Sequence, residues 1–214
     1  MISFDRREAL RYMGYHGAEP DAAVAESLER CAAELQAAVQ PKSISARFPL
    51  SFTGENTMQI GDLTVTSANL ARNLRGCTEV YLMAATLGIG ADRLIARASA
   101  VRMSDAVILQ AVAAAMIETC CDEVNDALRH MAEREGLYCR PRFSPGYGDF
   151  SIEHQRDFSR LLDTPRKIGL TVTESCLLAP IKSVTAVIGL SPEKQDCHRK
   201  GCEECGKTDC NFRR

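Results

Sequence analysis

The chain has 214 residues, 45% of them hydrophobic and 25% charged, with a formal net charge of −2. That is ordinary globular usage. It suits one compact domain with at most a small appendage and argues against a large disordered region. Near-neutral charge and the absence of tryptophan do not suit a general polyanion binder or a base-stacking platform, so no nucleic-acid partner is expected. The unusual count is ten cysteines.

Residues 5–13 read as a short amphipathic helix stopped at Gly14. Glu19-Pro20-Asp21 reads as a helix start with proline at the first position. The helix runs to about Val39 on an apolar stripe of Val24, Leu28, Cys31, Ala32 and Leu35. Residues 43–52 alternate like a strand, and residues 58–65 read as a hairpin turning at Gly61-Asp62. Ser67 is placed to cap a short helix to Leu74. Residues 79–84 form a buried strand, and residues 92–98 are helical. Ser104-Asp105 is read as the cap of a long helix to about Arg134, ended by Gly136. Residues 137–150 are expected to be irregular and residues 152–162 a polar helix. Residues 168–173 and 183–190 read as strands. The mixed order predicts an α+β fold with a twisted, mainly antiparallel sheet and flanking helices. From Ser191 onward apolar periodicity stops.

The first 14 residues carry Asp5, Arg6, Arg7, Glu8 and Arg11, with no apolar stretch resembling a secretory leader. The longest apolar run, residues 106–117, is too short for a bilayer and is interrupted by Gln110. A cytoplasmic protein with reduced thiols and no membrane is therefore expected. Cys31, Cys77, Cys120, Cys121, Cys139 and Cys176 lie in apolar sequence and read as buried thiols. The other four crowd the C-terminus.

Within the domain the most distinctive stretch is Arg140-Pro-Arg-Phe-Ser-Pro-Gly-Tyr-Gly-Asp-Phe150. Pro141 and Pro145 stiffen it, while Gly146 and Gly148 permit positive φ. Arg142 offers a planar fork for a carboxylate or phosphate. The Arg-x-x-x-Gly-Tyr pattern at Arg142, Gly146 and Tyr147, with Pro145 before the glycine, resembles the S-adenosylmethionine (AdoMet) motif of the activation domain of cobalamin-dependent methionine synthase. Residues 87–93, the helix bearing Glu118 and Glu123, and the stretches 168–173 and 180–189 lie in that family's order of elements. The order is matched over roughly residues 5–190. The chain looks like a stand-alone form of that domain.

The resemblance implies reductive reactivation of a cobalamin-dependent methionine synthase lacking its own activation domain, or of another corrinoid protein. The partner would carry the cobalamin, AdoMet would be the methyl donor, and ferredoxin or flavodoxin would be a possible electron donor. By the same resemblance Arg142 would grip the AdoMet carboxylate. Ser144, Pro145 and Gly146 would line the ligand, and Tyr147 would stand at the reacting face as the catalytic position. AdoMet also carries an ammonium, for which Glu118 is the acidic candidate and Glu123 the second.

The C-terminal spacing Cys197-x4-Cys202-x2-Cys205-x4-Cys210 can close four thiolates around one zinc ion or an iron–sulfur cluster. Without metal this charged segment has no apolar reason to fold. The need for an electron favours the cluster. A zinc-ribbon nucleic-acid binder is less favoured, because Glu193, Asp196, Glu203, Glu204 and Asp209 nearly cancel the tail's cations. The expected organisation is an AdoMet-binding domain over residues 1–191 and a metal-binding tail over 192–214. The alternative is a metal-bearing interaction or regulatory protein with no AdoMet chemistry.

Overall fold

The structure, a computed structural model, describes residues 3–15 and 17–194. Its strands are β1 (Lys42–Phe52), β2 (Thr57–Ile60), β3 (Leu63–Thr66), β4 (Glu79–Thr86), β5 (Tyr138–Cys139), β6 (Thr171–Val172), β7 (Leu178–Ala179) and β8 (Ser183–Ser191). Six of them form one sheet in the order β3-β2-β1-β4-β8-β5, and β6 pairs with β7 separately. Every pairing is antiparallel. The helices are α1 (Arg6–Tyr12), α2 (Ala22–Ala38), α3 (Ala68–Asn73), α4 (Ile89–Val101), α5 (Met103–Glu133), α6 (His154–Leu162) and α7 (Thr164–Ile168). The fold is thus the α+β class expected.

Helices cover both faces of the sheet, and the central strands show it. β4 and β8 pair in register with Tyr81 opposite Ile188 and Leu82 opposite Val187. Side chains alternate across a strand, so successive residues enter different cores. Tyr81, Met83, Ala85, Ala186, Ile188 and Leu190 join the core built with α1, α2, α4 and α5. Val80, Leu82, Ala84 and Val187 join the opposite core with the β2–β3 hairpin, α3, α6 and α7. Burial on both faces explains why residues 79–84 read as a continuous apolar run rather than an alternating one.

Several elements differ from the sequence reading. Asp21 caps α2, its carboxylate accepting from the Val24 N–H at 2.8 Å, so Pro20 precedes the cap instead of opening the helix. The cap of α5 is Arg102, which leaves Ser104 and Asp105 in its first turn, where Asp105 pairs with Arg30 at 2.9 Å. Residues 168–173 are not one strand. Left-handed Asp163 and Gly169 bracket the short helix α7, and only Thr171–Val172 pairs. Residues 137–150 contain β5 and an isolated bridge from Phe143 to Val187.

Helix α5 is long and apolar enough to cross a membrane by length and composition, but 61% of its most apolar stretch is buried inside the protein. It packs on α1, α2, α4 and the sheet. The first turn of α4 presses on the end of α2 so closely that a Cβ at Gly90 would lie 2.0 Å from the Ala38 carbonyl oxygen.

Candidate functional site

Among the described residues the outer edge of β8 is covered only near its C-terminal end, by β5 at Leu190 and Ser191 and by Phe143 at Val187. Beyond Phe143 the edge opens into a cleft of about 800 Å³. Glu118 of α5 lines one side, and Gln155 of α6 lines the other. Arg142, Ser144, Pro145 and Tyr147 bring the 140–150 loop to the same cleft. Ser183, Val184 and Thr185 form the sheet-edge wall, with Phe143 and Leu178 as apolar lining. A largely apolar concavity of this size with a few convergent polar groups is what a small-molecule site requires.

The loop owes its shape to local bonds. The Gly146 N–H donates to the Phe150 carbonyl at 2.8 Å, and the Phe150 N–H returns to the Tyr147 carbonyl at 3.0 Å. Gly146 (φ 96°) and Gly148 (φ 55°) occupy backbone conformations that side chains disfavour. Both positions are also close to neighbouring side chains, which would have to shift to admit a Cβ. A Cβ would lie 2.9 Å from Ile152 Cδ1 at Gly146, and 2.5 Å from Asn69 Nδ2 at Gly148. Asp149 then ties the loop to the start of α3. Its carboxylate accepts from Ser67 Oγ at 2.5 Å, the Ala68 N–H at 2.7 Å and the Asn69 N–H at 3.1 Å. The Ser67 hydroxyl, with these amides, holds the Asp149 carboxyl well below the usual carboxylate range, at about 2.

Arg142 is the charged centre of the cleft. Its Nη2 donates to Asp122 Oδ1 at 2.7 Å and to Glu118 Oε2 at 3.4 Å. Its Nη1 is buried and has no hydrogen-bond partner among the described residues. An unmet buried donor of this kind costs about 1–3 kcal/mol, more for a charged group. Tyr147 stands at the rim, 67% exposed.

The cleft therefore brings together Arg142, Ser144, Pro145, Tyr147 and Glu118. Gly146 lies in the turn between them and shapes the loop instead of lining the cavity. The acid beside Glu118 is Asp122, not Glu123, which makes no ion pair with Arg142. Asp122 was legible in the sequence as the residue four positions after Glu118, on the same helix face. Gln155 and Thr185, both polar and both buried in the cleft wall, carry no sequence signal of this kind.

Burial disfavours the thiolate form of the neighbouring cysteines. Burial pushes the Cys121 thiol up to about 12, although the Arg142 charge draws it the other way. Burial raises Cys120 as well, and takes Cys139 to about 11. Of the six cysteines expected to be buried, five are, and Cys139 is half-buried. Among the described residues no group of three or more His, Cys, Asp or Glu gathers to hold a metal. Cys197, Cys202, Cys205 and Cys210 lie outside the described residues.

The fold has a solved counterpart. The chain is similar to the MetH reactivation domain, known from a crystal structure bound to AdoHcy (S-adenosylhomocysteine), with a TM-score of 0.63. The likeness covers 88% of this chain and 76% of that one, at 15% sequence identity. It is a likeness of fold, and it meets the expectation of an activation-domain-like architecture. No protein-family model matches the sequence, and no curated protein matches it.

Proposed function

We propose that the cleft binds AdoMet and that the protein serves the reductive reactivation of a corrinoid methyltransferase, a cobalamin-dependent methionine synthase lacking its own activation domain being the first candidate. The observation that carries this reading is the state of Arg142. Its Nη2 is held by Glu118 and Asp122, and its Nη1 is buried without a partner among the described residues at a cleft of ligand size. An amino-acid head group supplies what this centre lacks. Its carboxylate satisfies the arginine fork, and its ammonium takes the two helix carboxylates. The solved counterpart was crystallised with AdoHcy, which carries that head group.

In this reading Arg142, Glu118 and Asp122 anchor the head group, and Ser144 and Pro145 wall the ligand. Tyr147, at the exposed rim, flanks the sulfonium where the partner approaches. The corrinoid partner would supply the methyl acceptor, and this chain's part is to hold the donor methyl toward it with water excluded. By spacing alone, the tail cysteines are proposed to bind an iron–sulfur cluster or zinc, which makes residues 1–191 the ligand-binding domain and 192–214 the metal-binding tail.

Calorimetric titration of the purified chain with AdoMet and AdoHcy tests the reading, followed by transfer of labelled methyl from AdoMet to a corrinoid methyltransferase under reducing conditions. Saturable heat with both ligands is expected. No heat with either, alone or with the corrinoid partner present, overturns it and leaves the metal-bearing interaction protein as the surviving reading.

A further inference from the structure

Gln155 is the polar group of the cleft that the loop motif leaves unexplained. It projects from α6 and is only 6% exposed, yet it lines the cavity. Thr185 of β8, 2% exposed, donates from its hydroxyl to Gln155 Oε1 at 2.5 Å. That bond fixes the amide. The oxygen is engaged, and Nε2, which has no hydrogen-bond partner among the described residues, is the group presented to the cleft.

The main chain of Thr185 faces the same way. Phe143 and Val187 exchange both of their backbone hydrogen bonds across the outer edge of β8, each at 2.9 Å. In an antiparallel ladder the residue two positions along points its N–H and C=O to the same side. For Thr185 that side is the open edge, and no backbone bond crosses it there among the described residues. Buried main-chain groups without partners are rare in folded proteins. This station therefore presents two donors, Gln155 Nε2 and the Thr185 N–H, and one acceptor, the Thr185 carbonyl. Phe143, Leu178 and Val184 add apolar lining to the same cleft.

We infer that Gln155 and Thr185 form a base-reading station that selects a 6-aminopurine over a 6-oxopurine. An adenine edge offers an amino donor beside a ring-nitrogen acceptor, which complements an N–H and a C=O side by side. A second ring nitrogen remains to accept from Gln155 Nε2. A 6-oxopurine places a carbonyl against the Thr185 carbonyl and a protonated ring nitrogen against its N–H, so both contacts become repulsive. The Thr185 main chain carries the discrimination, and Gln155 Nε2 adds affinity through a ring nitrogen that both purines share. The Thr185 hydroxyl is a positioning group, since it keeps the amide nitrogen turned inward. The inference rests on the proposed AdoMet reading of the cleft and extends it to the other end of the ligand.

The test is calorimetry of the full chain with AdoHcy and with S-inosylhomocysteine, which differ only at the base. The wild type is expected to bind AdoHcy at least about tenfold more tightly. Gln155→Leu is expected to weaken both ligands by roughly tenfold, and because Gln155→Leu and Thr185→Val both keep the Thr185 main chain, the ratio between the two ligands should survive in each, with folding checked by circular dichroism. Arg142→Met should weaken both ligands by the same factor and leave the ratio unchanged. Wild-type protein that binds the two ligands equally overturns the base-reading station while leaving the AdoMet reading intact. Wild-type protein that binds neither overturns the reading beneath it. Because the wild-type comparison needs no substitution, a variant that fails to fold does not remove the test.

Discussion

Replacing Arg142 with methionine separates a ligand-binding role from a structural one, because the two predict opposite patterns. In the free protein Arg142 has two anionic partners, Asp122 at 2.7 Å and Glu118 at 3.4 Å, with side chains 69% and 43% exposed. Ion pairs with partners this exposed contribute about 0–1 kcal/mol after solvent screening. Against that stands the buried Nη1 with no partner among the described residues, a cost of about 1–3 kcal/mol that the methionine variant removes. The two effects nearly cancel, so Arg142→Met should change unfolding free energy by less than about 1 kcal/mol, and the sign can be stabilising. Binding behaves differently. The variant loses a charge-assisted contact to the ligand carboxylate, about 1.5–3 kcal/mol, or roughly 10- to 150-fold in Kd for AdoHcy. Arg142→Lys keeps the charge without the fork and should fall between. Urea unfolding and calorimetry on the same preparations give both numbers. The reasoning is refuted if AdoHcy affinity survives in Arg142→Met. It is equally refuted if stability falls by several kcal/mol, because the arginine would then be a structural brace.

Three further outcomes follow from particular contacts. The folded carboxyl of Asp149 titrates at about 2 against an ordinary 3.8, so its contribution is complete above about pH 4 and is lost as pH falls through about 2. The stability gap between wild type and Asp149→Asn should therefore shrink across that window in acid–urea titrations, and a gap independent of pH would refute it. Gly90→Ala drives a Cβ to 2.0 Å from the Ala38 carbonyl oxygen, a backbone collision costing about 3 kcal/mol. At roughly 2–4 °C per kcal/mol for a chain of this size, that lowers Tm by about 6–12 °C, and an unchanged Tm would show that α4 slides freely on α2. The tail reading predicts stoichiometric iron with sulfide, or zinc, in anaerobically purified full-length protein, and its loss in Cys202→Ser. Metal-free protein at full purity refutes it.

Elements with local causes were legible in the sequence, and elements held by distant contacts were not. The Ser67 cap of α3, the Gly61 hairpin turn and the Leu28–Leu35 stripe of α2 each depend on residues within one or two turns of one another. Pairing order is different. β4 meets β8 across about a hundred residues, and the apolar run that marks both strands as buried carries no register. Helix α7 was missed because its boundaries come from left-handed Asp163 and Gly169, whereas the β-branched residues after it imitate a longer strand. The Gly148-Asp149-Phe150 stretch showed no function until α3 came into contact with it, 80 residues away in sequence.

The cleft itself follows from where the loop can and cannot pair. Tyr138 and Cys139 pair with Ser191 and Leu190, and Phe143 bridges Val187. Four steps on the loop strand from Cys139 to Phe143 answer three on β8 from Leu190 to Val187, so the loop carries one extra residue, as at a bulge. Continued two residues further, the register sets Pro145 against Thr185. Proline has no N–H to give the Thr185 carbonyl, so the ladder stops there, and Gly146 turns the chain away. The proline in the sequence motif thus has a physical consequence beyond stiffness. Among the described residues it leaves the main chain of Thr185 unpaired at the edge of a buried strand, beside Gln155, whose amide nitrogen is also unspent. The same few residues that bring Arg142 to the cleft also open its polar station. That is why a motif read for its arginine and tyrosine also implies a second contact region that it does not contain.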